Sequence, residues 1–175
     1  LKEKNISKIK RLLRKELNKV YKKLRFSNNT FVHRDFHVSN IMLKKKKLGL
    51  IDSQDAIIGN PLYDVVSLID DVRIKLPNNL QNNLIHFYHK NSKLKKNDIE
   101  SLKNDFDILS VQRSFKILGI FVRLAKRDGK KNYLKFLPYT WRLLEKRLKN
   151  PIFKNLNILM NKNLPIKKLR QQNKI

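Results

Sequence analysis

Phe31-Val32-His33-Arg34-Asp35-Phe36-His37-Val38-Ser39-Asn40-Ile41-Met42-Leu43 is a polar loop set between two apolar runs, and it decides what the other residues of this 175-residue chain can be. Phe31-Val32 has strand character, as does Ile41-Met42-Leu43. Between them lie two histidines, an Arg-Asp pair and an asparagine, more polar chemistry than a plain turn requires. The lysine run Lys44 to Lys47 then separates Met42-Leu43 from Leu48-Gly49-Leu50-Ile51, which predicts a β-hairpin. Asp52 ends that hairpin. After the turn signal Gly59-Asn60-Pro61, Asp64 opens an apolar segment, Tyr63-Asp64-Val65-Val66-Ser67-Leu68.

Outward from this loop the pattern is helical. Residues 5–24 carry Ile6, Ile9, Leu12, Leu13, Leu17, Val20 and Tyr21 at helical spacing. Val65, Val66, Leu68, Ile69 and Val72 mark a buried helix that stops before Pro77. Leu80 to Tyr88 predicts another, and Asp98 to Lys126 one long helix or two, closed near Asp128-Gly129. Pro138 suits the first turn of a helix reaching Leu148, and Pro151 the start of one more. The expectation is an α+β, mostly helical fold over residues 1–161, with a basic, frayed tail over 162–175.

Lys+Arg number 41 against 14 Asp+Glu, a net charge of +27. That invites a nucleic-acid reading. However, the excess is 30 Lys to 11 Arg, spread from Lys2 to Lys174 beside 20 Asn, a bias that AT-rich coding imposes on any protein. No zinc-finger, RNP-like or KH-like pattern accompanies it, so nucleic acid is not an expected partner and the charge is read as solubility and steering. With no cysteine, disulfides, thiol catalysis and thiolate metal sites are excluded. No apolar run is long enough to span a membrane, and the first 25 residues hold no signal-like apolar core. A cytoplasmic location is expected.

The spacing His33-Arg34-Asp35 with Asn40 five positions after the Asp matches the catalytic loop of kinases. There the Asp takes the proton of the acceptor hydroxyl and the Asn holds magnesium. A second carboxylate, here Asp52, follows on the far side of a hairpin. Phosphoryl transfer needs alignment and neutralisation of charge, which a hard cation held by oxygen ligands provides. Taken singly, His33 reads as a core histidine, Asp52 as a turn residue and Asp64 as a helix cap. It is their order, with the hairpin between Asn40 and Asp52, that argues for chemistry. His86 and His89 lie three apart without a third ligand and read as packing or surface residues.

The blocks from Phe31 to Leu43, Leu50-Ile51-Asp52-Ser53-Gln54-Asp55-Ala56 and Tyr63 to Leu68 resemble the aminoglycoside phosphotransferase / choline kinase-like superfamily. With Gln112-Arg113 through Leu124, Arg127-Asp128-Gly129-Lys130 and Tyr133-Leu134, they resemble its branch that phosphorylates the anomeric hydroxyl of N-acetylmuramate and N-acetylglucosamine in bacterial cell-wall recycling. The likeness covers residues 30 to 148. It implies the C-terminal lobe of a protein-kinase-like fold that uses ATP and Mg2+. Asp35 would be the catalytic base and Asn40 and Asp52 the metal ligands. Asp64 would brace the loop from a helix start, with His33, Arg34 and His37 as loop members. Gln54, Asp55, Arg113 and Arg123 are candidate substrate contacts.

Asp52 is followed by Ser53-Gln54 rather than Phe-Gly, which disfavours a protein substrate. Gly49, Gly59, Gly119 and Gly129 are scattered, and a single predicted helix precedes the loop. The N-terminal β-lobe that clamps nucleotide phosphates is therefore expected to be absent from these residues and to act as the chain's missing partner. The alternative is a truncated, non-catalytic basic binding module of the same fold, able to contact nucleic acid. Polycationic aminoglycosides suit a +27 chain poorly, whereas Arg113 or Arg123 could pair the lactyl carboxylate of N-acetylmuramate.

Overall fold

A computed structural model describes residues 3–96 and 98–163. Six helices carry most of it: α1 (Glu3–Tyr21), α2 (Tyr63–Ile69), α3 (Asn78–Asn91), α4 (Ile99–Arg127), α5 (Leu137–Arg147) and α6 (Lys154–Asn163). The fold is mostly helical with a small β component, as the sequence predicts. The stretch after Asp98 is one helix of 29 residues, about 43 Å long at 1.5 Å per residue. Asp98 caps it, accepting the Ser101 N–H at 2.6 Å and the Ser101 hydroxyl at 2.7 Å. Past its last turn Gly129 takes φ +67°, where a side chain would be strained, and the chain turns away.

Helix α4 is the spine because its apolar residues reach all three parts of the core. Ile108 and Val111 pack with Val20 of α1, Leu144 of α5, and Leu156 and Met160 of α6. Leu102, Phe106 and Leu109 pack with Leu62, with Val66 and Ile69 of α2, and with Ile85 of α3. Phe121 closes the third part with Val72 and Leu143. Phe106 is fully buried, and truncating such a side chain to Ala costs about 3–5 kcal/mol.

Four short strands hold the loop: β1 (Thr30–Val32), β2 (Ile41–Lys44), β3 (Lys47–Leu50) and β4 (Ile57–Gly59). The pair β2–β3 is the predicted hairpin, in register Ile41 to Leu50 and Lys44 to Lys47. Its turn, Lys45-Lys46, has φ +47° and +63°, the primed geometry that right-twisted strands need. The antiparallel pair β1–β4 was not predicted: β4 lies in the stretch leading to the Gly59-Asn60-Pro61 turn, three residues too few to show an alternation. Gly59 sits there because a Cβ would stand 3.1 Å from the Val32 side chain.

Some boundaries differ from the sequence expectation. Helix α1 ends at Tyr21 instead of 24, and α2 ends at Ile69, leaving Val72 buried but outside the helix. The strand β3 stops at Leu50, one residue short of Ile51. Lys162 and Asn163, assigned to the tail, belong to α6, and residues 164–175 of that tail lie outside the described residues.

Two polar anchors position the loop from outside. The Asp105 carboxylate on α4 accepts the backbone N–H groups of Arg25 and Phe26 at 2.9 and 3.0 Å, fixing the chain as it leaves α1. Asn60 donates to the Phe26 carbonyl at 2.8 Å and accepts the Leu62 N–H at 2.9 Å, fixing the entry into α2.

Candidate active site

β1 delivers His33 into the core, where it is buried, and the first turn of α2 meets it there. The Asp64 carboxylate accepts the His33 N–H at 2.7 Å and the Arg34 N–H at 3.0 Å. Arg34 needs that restraint: its φ of +73° is left-handed, at a cost of about 1–2 kcal/mol for an L residue. The Arg34 guanidinium also donates to the Asp55 carbonyl at 3.2 Å. His33 Nε2 lies 2.9 Å from the Ile51 carbonyl, and since a carbonyl only accepts, Nε2 carries the proton.

Asn40 closes the loop on itself. Its Nδ2 donates to the Asp35 carbonyl at 2.9 Å, its N–H to the His37 carbonyl at 2.9 Å, and its own carbonyl accepts the Ile51 N–H at 3.1 Å. Asn40 Oδ1 makes no hydrogen bond with the described residues. His33 and Asn40 thus both grip Ile51, the residue before Asp52. Asp52 is exposed and left-handed at φ +68°, and Oδ1 accepts Gln54 Nε2 at 2.6 Å while Oδ2 has no partner among the described residues. The Asp35 side chain, half-buried at the tip of this framework, makes no hydrogen bond with the described residues.

His37 is buried, and burial lowers its pKa below the ordinary histidine value; Arg73 and Arg113 add to that, while Asp71 and Asp35 pull the other way. Asp71 is buried too. One of its oxygens accepts the Arg73 N–H at 3.0 Å and the Arg73 guanidinium at 3.3 Å, and the other has no partner among the described residues. Arg113, buried on α4, donates from Nε to the Ser67 hydroxyl at 2.9 Å, and that hydroxyl donates to the Tyr63 carbonyl at 3.0 Å. Burial lowers the Arg113 pKa, against the opposing pull of Tyr63 and Asp71.

The structure therefore gathers His33, Arg34, Asp35, His37, Asn40, Asp52, Gln54, Asp55 and Asp64 around one loop, with Arg113 reaching it from α4. It leaves Arg123 about 15 Å further along α4, exposed and in the field of Asp128. Asp70, Asp71 and Ser67 were not singled out from the sequence. The adjacent acids at the end of an apolar helix, in a chain so short of acids, were the available signal. Among the described residues no group of three or more His, Asp or Glu is placed to hold a metal ion, and His86 is exposed. Nor is any described helix long and apolar enough to cross a membrane.

Beside the loop, between the β1–β4 pair and α4, lies a cleft of about 420 Å³ whose lining includes Arg34, Tyr63, Gln112, Arg113 and Lys116. Two larger grooves, one between α1 and α4 and one along α5 and α6, touch none of the loop residues. Large apolar side chains are exposed on both strand pairs: Leu43 and Leu48 on the hairpin, Ile51 just after it, and Phe31 and Ile58 on β1–β4 are each about half or more exposed.

The stretch that includes this loop matches a known protein family. The model of the phosphotransferase enzyme family matches residues 2–103. The chain is 36% identical over 119 residues to the N-acetylmuramate/N-acetylglucosamine kinase of Pseudomonas aeruginosa, an alignment covering 66% of this chain and 35% of that kinase. The kinase of the same name from Neisseria meningitidis is 36% identical over 112 residues, 62% of this chain and 34% of the relative. That of Caulobacter vibrioides is 28% identical over 146 residues, 80% of this chain and 39% of the relative. The chain spans about a third of the length of the curated relatives it matches.

Proposed function

The chain belongs to the phosphotransferase enzyme family, and from that premise we propose that it is the acceptor-binding and catalytic lobe of an ATP-dependent amino-sugar kinase. The observation that carries the reading is the framework around Asp35: Asp64 holds the backbone of the two residues before it, Asn40 holds its carbonyl, and its carboxylate has no partner among the described residues. That is what a general base awaiting a substrate hydroxyl requires. In the proposed reaction Asp35 takes the proton of the acceptor hydroxyl as that oxygen bonds to the γ-phosphorus. The bond from phosphorus to the β,γ-bridging oxygen breaks, and ADP leaves.

Asn40 Oδ1 and the Asp52 carboxylate are hard oxygen donors, and the Ile51 N–H bonded to the Asn40 carbonyl ties the backbone next to Asp52 to Asn40. Such a set fits Mg2+, which takes one or two protein oxygens and completes its shell with water and phosphate. When bound, the ion would supply neutralisation of phosphate charge. Gln54 holds one Asp52 oxygen and so leaves the other for this task.

The groups that clamp the nucleotide from the other side are proposed to lie on a segment outside these 175 residues. The exposed apolar surface of the hairpin and β4 supports this, as does the coverage of about a third of each relative. The acceptor is proposed to be N-acetylmuramate or N-acetylglucosamine, from the relatives' names and from a charge that disfavours polycations. The test is a coupled ADP-release assay on a form carrying the nucleotide-clamping segment, across both sugars and a panel of aminoglycosides. Turnover of either sugar ahead of every aminoglycoside is expected, and the reverse order would overturn the acceptor assignment.

A further inference from the structure

Two buried arginines of the helical core stand in opposite electrostatic circumstances. Arg147 on α5 is saturated: Nε and Nη2 donate to the Asp70 carboxylate at 2.9 and 2.8 Å, and Nη1 donates to Asp107 at 3.3 Å. Its guanidinium also lies 4.7 Å over the Phe106 ring. Arg113 on α4 is as deeply buried, 6% exposed against 8% for Arg147. Yet among the described residues it has no ion-pair partner. Nε is spent on the neutral Ser67 hydroxyl, and Nη1 and Nη2 have no hydrogen-bond partner among the described residues.

The carboxylates within its field do not fill that role. Asp71, engaged by Arg73 through one oxygen only, and Asp35, the base of the proposed reaction, both act on Arg113 without coming within ion-pair distance of it. A buried cation with no carboxylate in direct contact is costly, and an arriving anion would offset that cost.

Arg113 faces a place where an anion can arrive. It lines the 420 Å³ cleft beside the loop, a volume within the range of small-molecule sites. Of the lining residues Arg34, Arg113 and Lys116 are cationic and none is acidic, while Tyr63 and Gln112 add uncharged hydrogen-bonding groups. Arg34 puts the cleft one residue from Asp35. Lys116 lies one helical turn beyond Arg113 on the same helix and is exposed.

We propose that Arg113, with Lys116 at the mouth of the cleft, is the subsite for a carboxylate carried by the acceptor sugar. This rests on the amino-sugar kinase reading and adds to it a basis for selecting between the two sugars. N-acetylmuramate bears a lactyl carboxylate that can take Nη1 and Nη2 together, and N-acetylglucosamine has none. Arg123, the other arginine that the sequence offers for this task, is exposed and remote from the loop.

The test is isothermal titration of the 175-residue chain and its variants with N-acetylmuramate, N-acetylglucosamine and inorganic phosphate, each variant first checked for a cooperative melt. N-acetylmuramate is expected to bind more tightly than N-acetylglucosamine. Arg113→Met should weaken N-acetylmuramate by about 10- to 100-fold, the worth of a charge-assisted bond, and leave N-acetylglucosamine unchanged. Lys116→Met, a surface change, should cost N-acetylmuramate about threefold and the neutral sugar nothing. Should Arg113→Met fail to fold, Lys116→Met and Arg113→Lys carry the comparison.

Equal affinity for the two sugars, or equal loss of both on substitution, would overturn the carboxylate subsite while leaving the amino-sugar reading standing. Arg113-dependent binding of phosphate without sugar selectivity would overturn it in favour of a phosphate site. Binding of neither sugar at millimolar concentration would overturn both readings together.

Discussion

Asp64 Oδ2 accepts the backbone N–H of His33 at 2.7 Å, joining two residues 31 positions apart. With Oδ1 on the Arg34 N–H, one carboxylate satisfies two consecutive donors at the point where the backbone turns left-handed. The site therefore depends on a residue that need touch no substrate.

Asp64→Asn keeps the shape but replaces one acceptor oxygen with an NH2 facing an N–H. A buried donor left unsatisfied costs about 1–3 kcal/mol, so urea unfolding of the chain should show a midpoint lowered accordingly. In a phosphotransfer-competent form the same change should lower turnover more than it raises the KM for the sugar. Unchanged stability and unchanged turnover together would remove Asp64 from the framework.

Asp35→Asn should behave in the opposite way. Its side chain bonds to no described residue, so the melting temperature should stay put. Turnover should fall by about 10²–10⁴, the usual worth of a general base. Asn40→Ala and Asp52→Ala should instead raise the magnesium concentration needed for half-maximal rate. If all three variants shift the magnesium curve alike, Asp35 is a ligand and not the base.

The exposed apolar strands make a third prediction. Leu43 and Leu48 are cross-strand partners on the hairpin and stand 72% and 76% exposed, an arrangement that a surface left in water rarely has. Sedimentation of the chain should show concentration-dependent association, and Leu43→Lys with Leu48→Lys should abolish it without lowering the melting temperature. A chain that stays monomeric at high concentration would argue against a covering segment on this face.

How much of this was legible beforehand varies with the kind of signal. The loop from His33 to Asn40 stands out in the sequence because it holds more polar groups than a turn needs, and the hairpin because two apolar runs flank four lysines. β4 was not, since three residues cannot display a period, and its pairing with β1 depends on Asp105 and Asn60 fixing chain ends far apart in sequence. Arg113 and Arg123 looked equivalent as charges on one helix. The buried face distinguishes them: Arg113 falls four residues after Leu109 and seven after Phe106, on the stripe facing the core. Asp70 and Asp71 became intelligible only with Arg147 and Arg73 beside them, contacts that no local pattern encodes.

The last prediction concerns pH. His37 is buried beside Arg73 and Arg113, with Asp71 and Asp35 acting against them, and its folded-state pKa lies below the 6.5 of an exposed histidine. Between those two values the unfolded chain binds a proton that the folded chain does not, so stability falls as pH falls through this window. Above pH 6.5 both states leave the imidazole neutral and the contribution is complete; below the folded pKa both are protonated and the loss levels off. The difference in melting temperature between the parent chain and His37→Gln should therefore change in one direction only, against the parent, as pH is lowered from 7. A parent that gains stability relative to His37→Gln on acidification would mean that Asp71 and Asp35 outweigh burial and the two arginines, and that His37 is a cation beside Asp35.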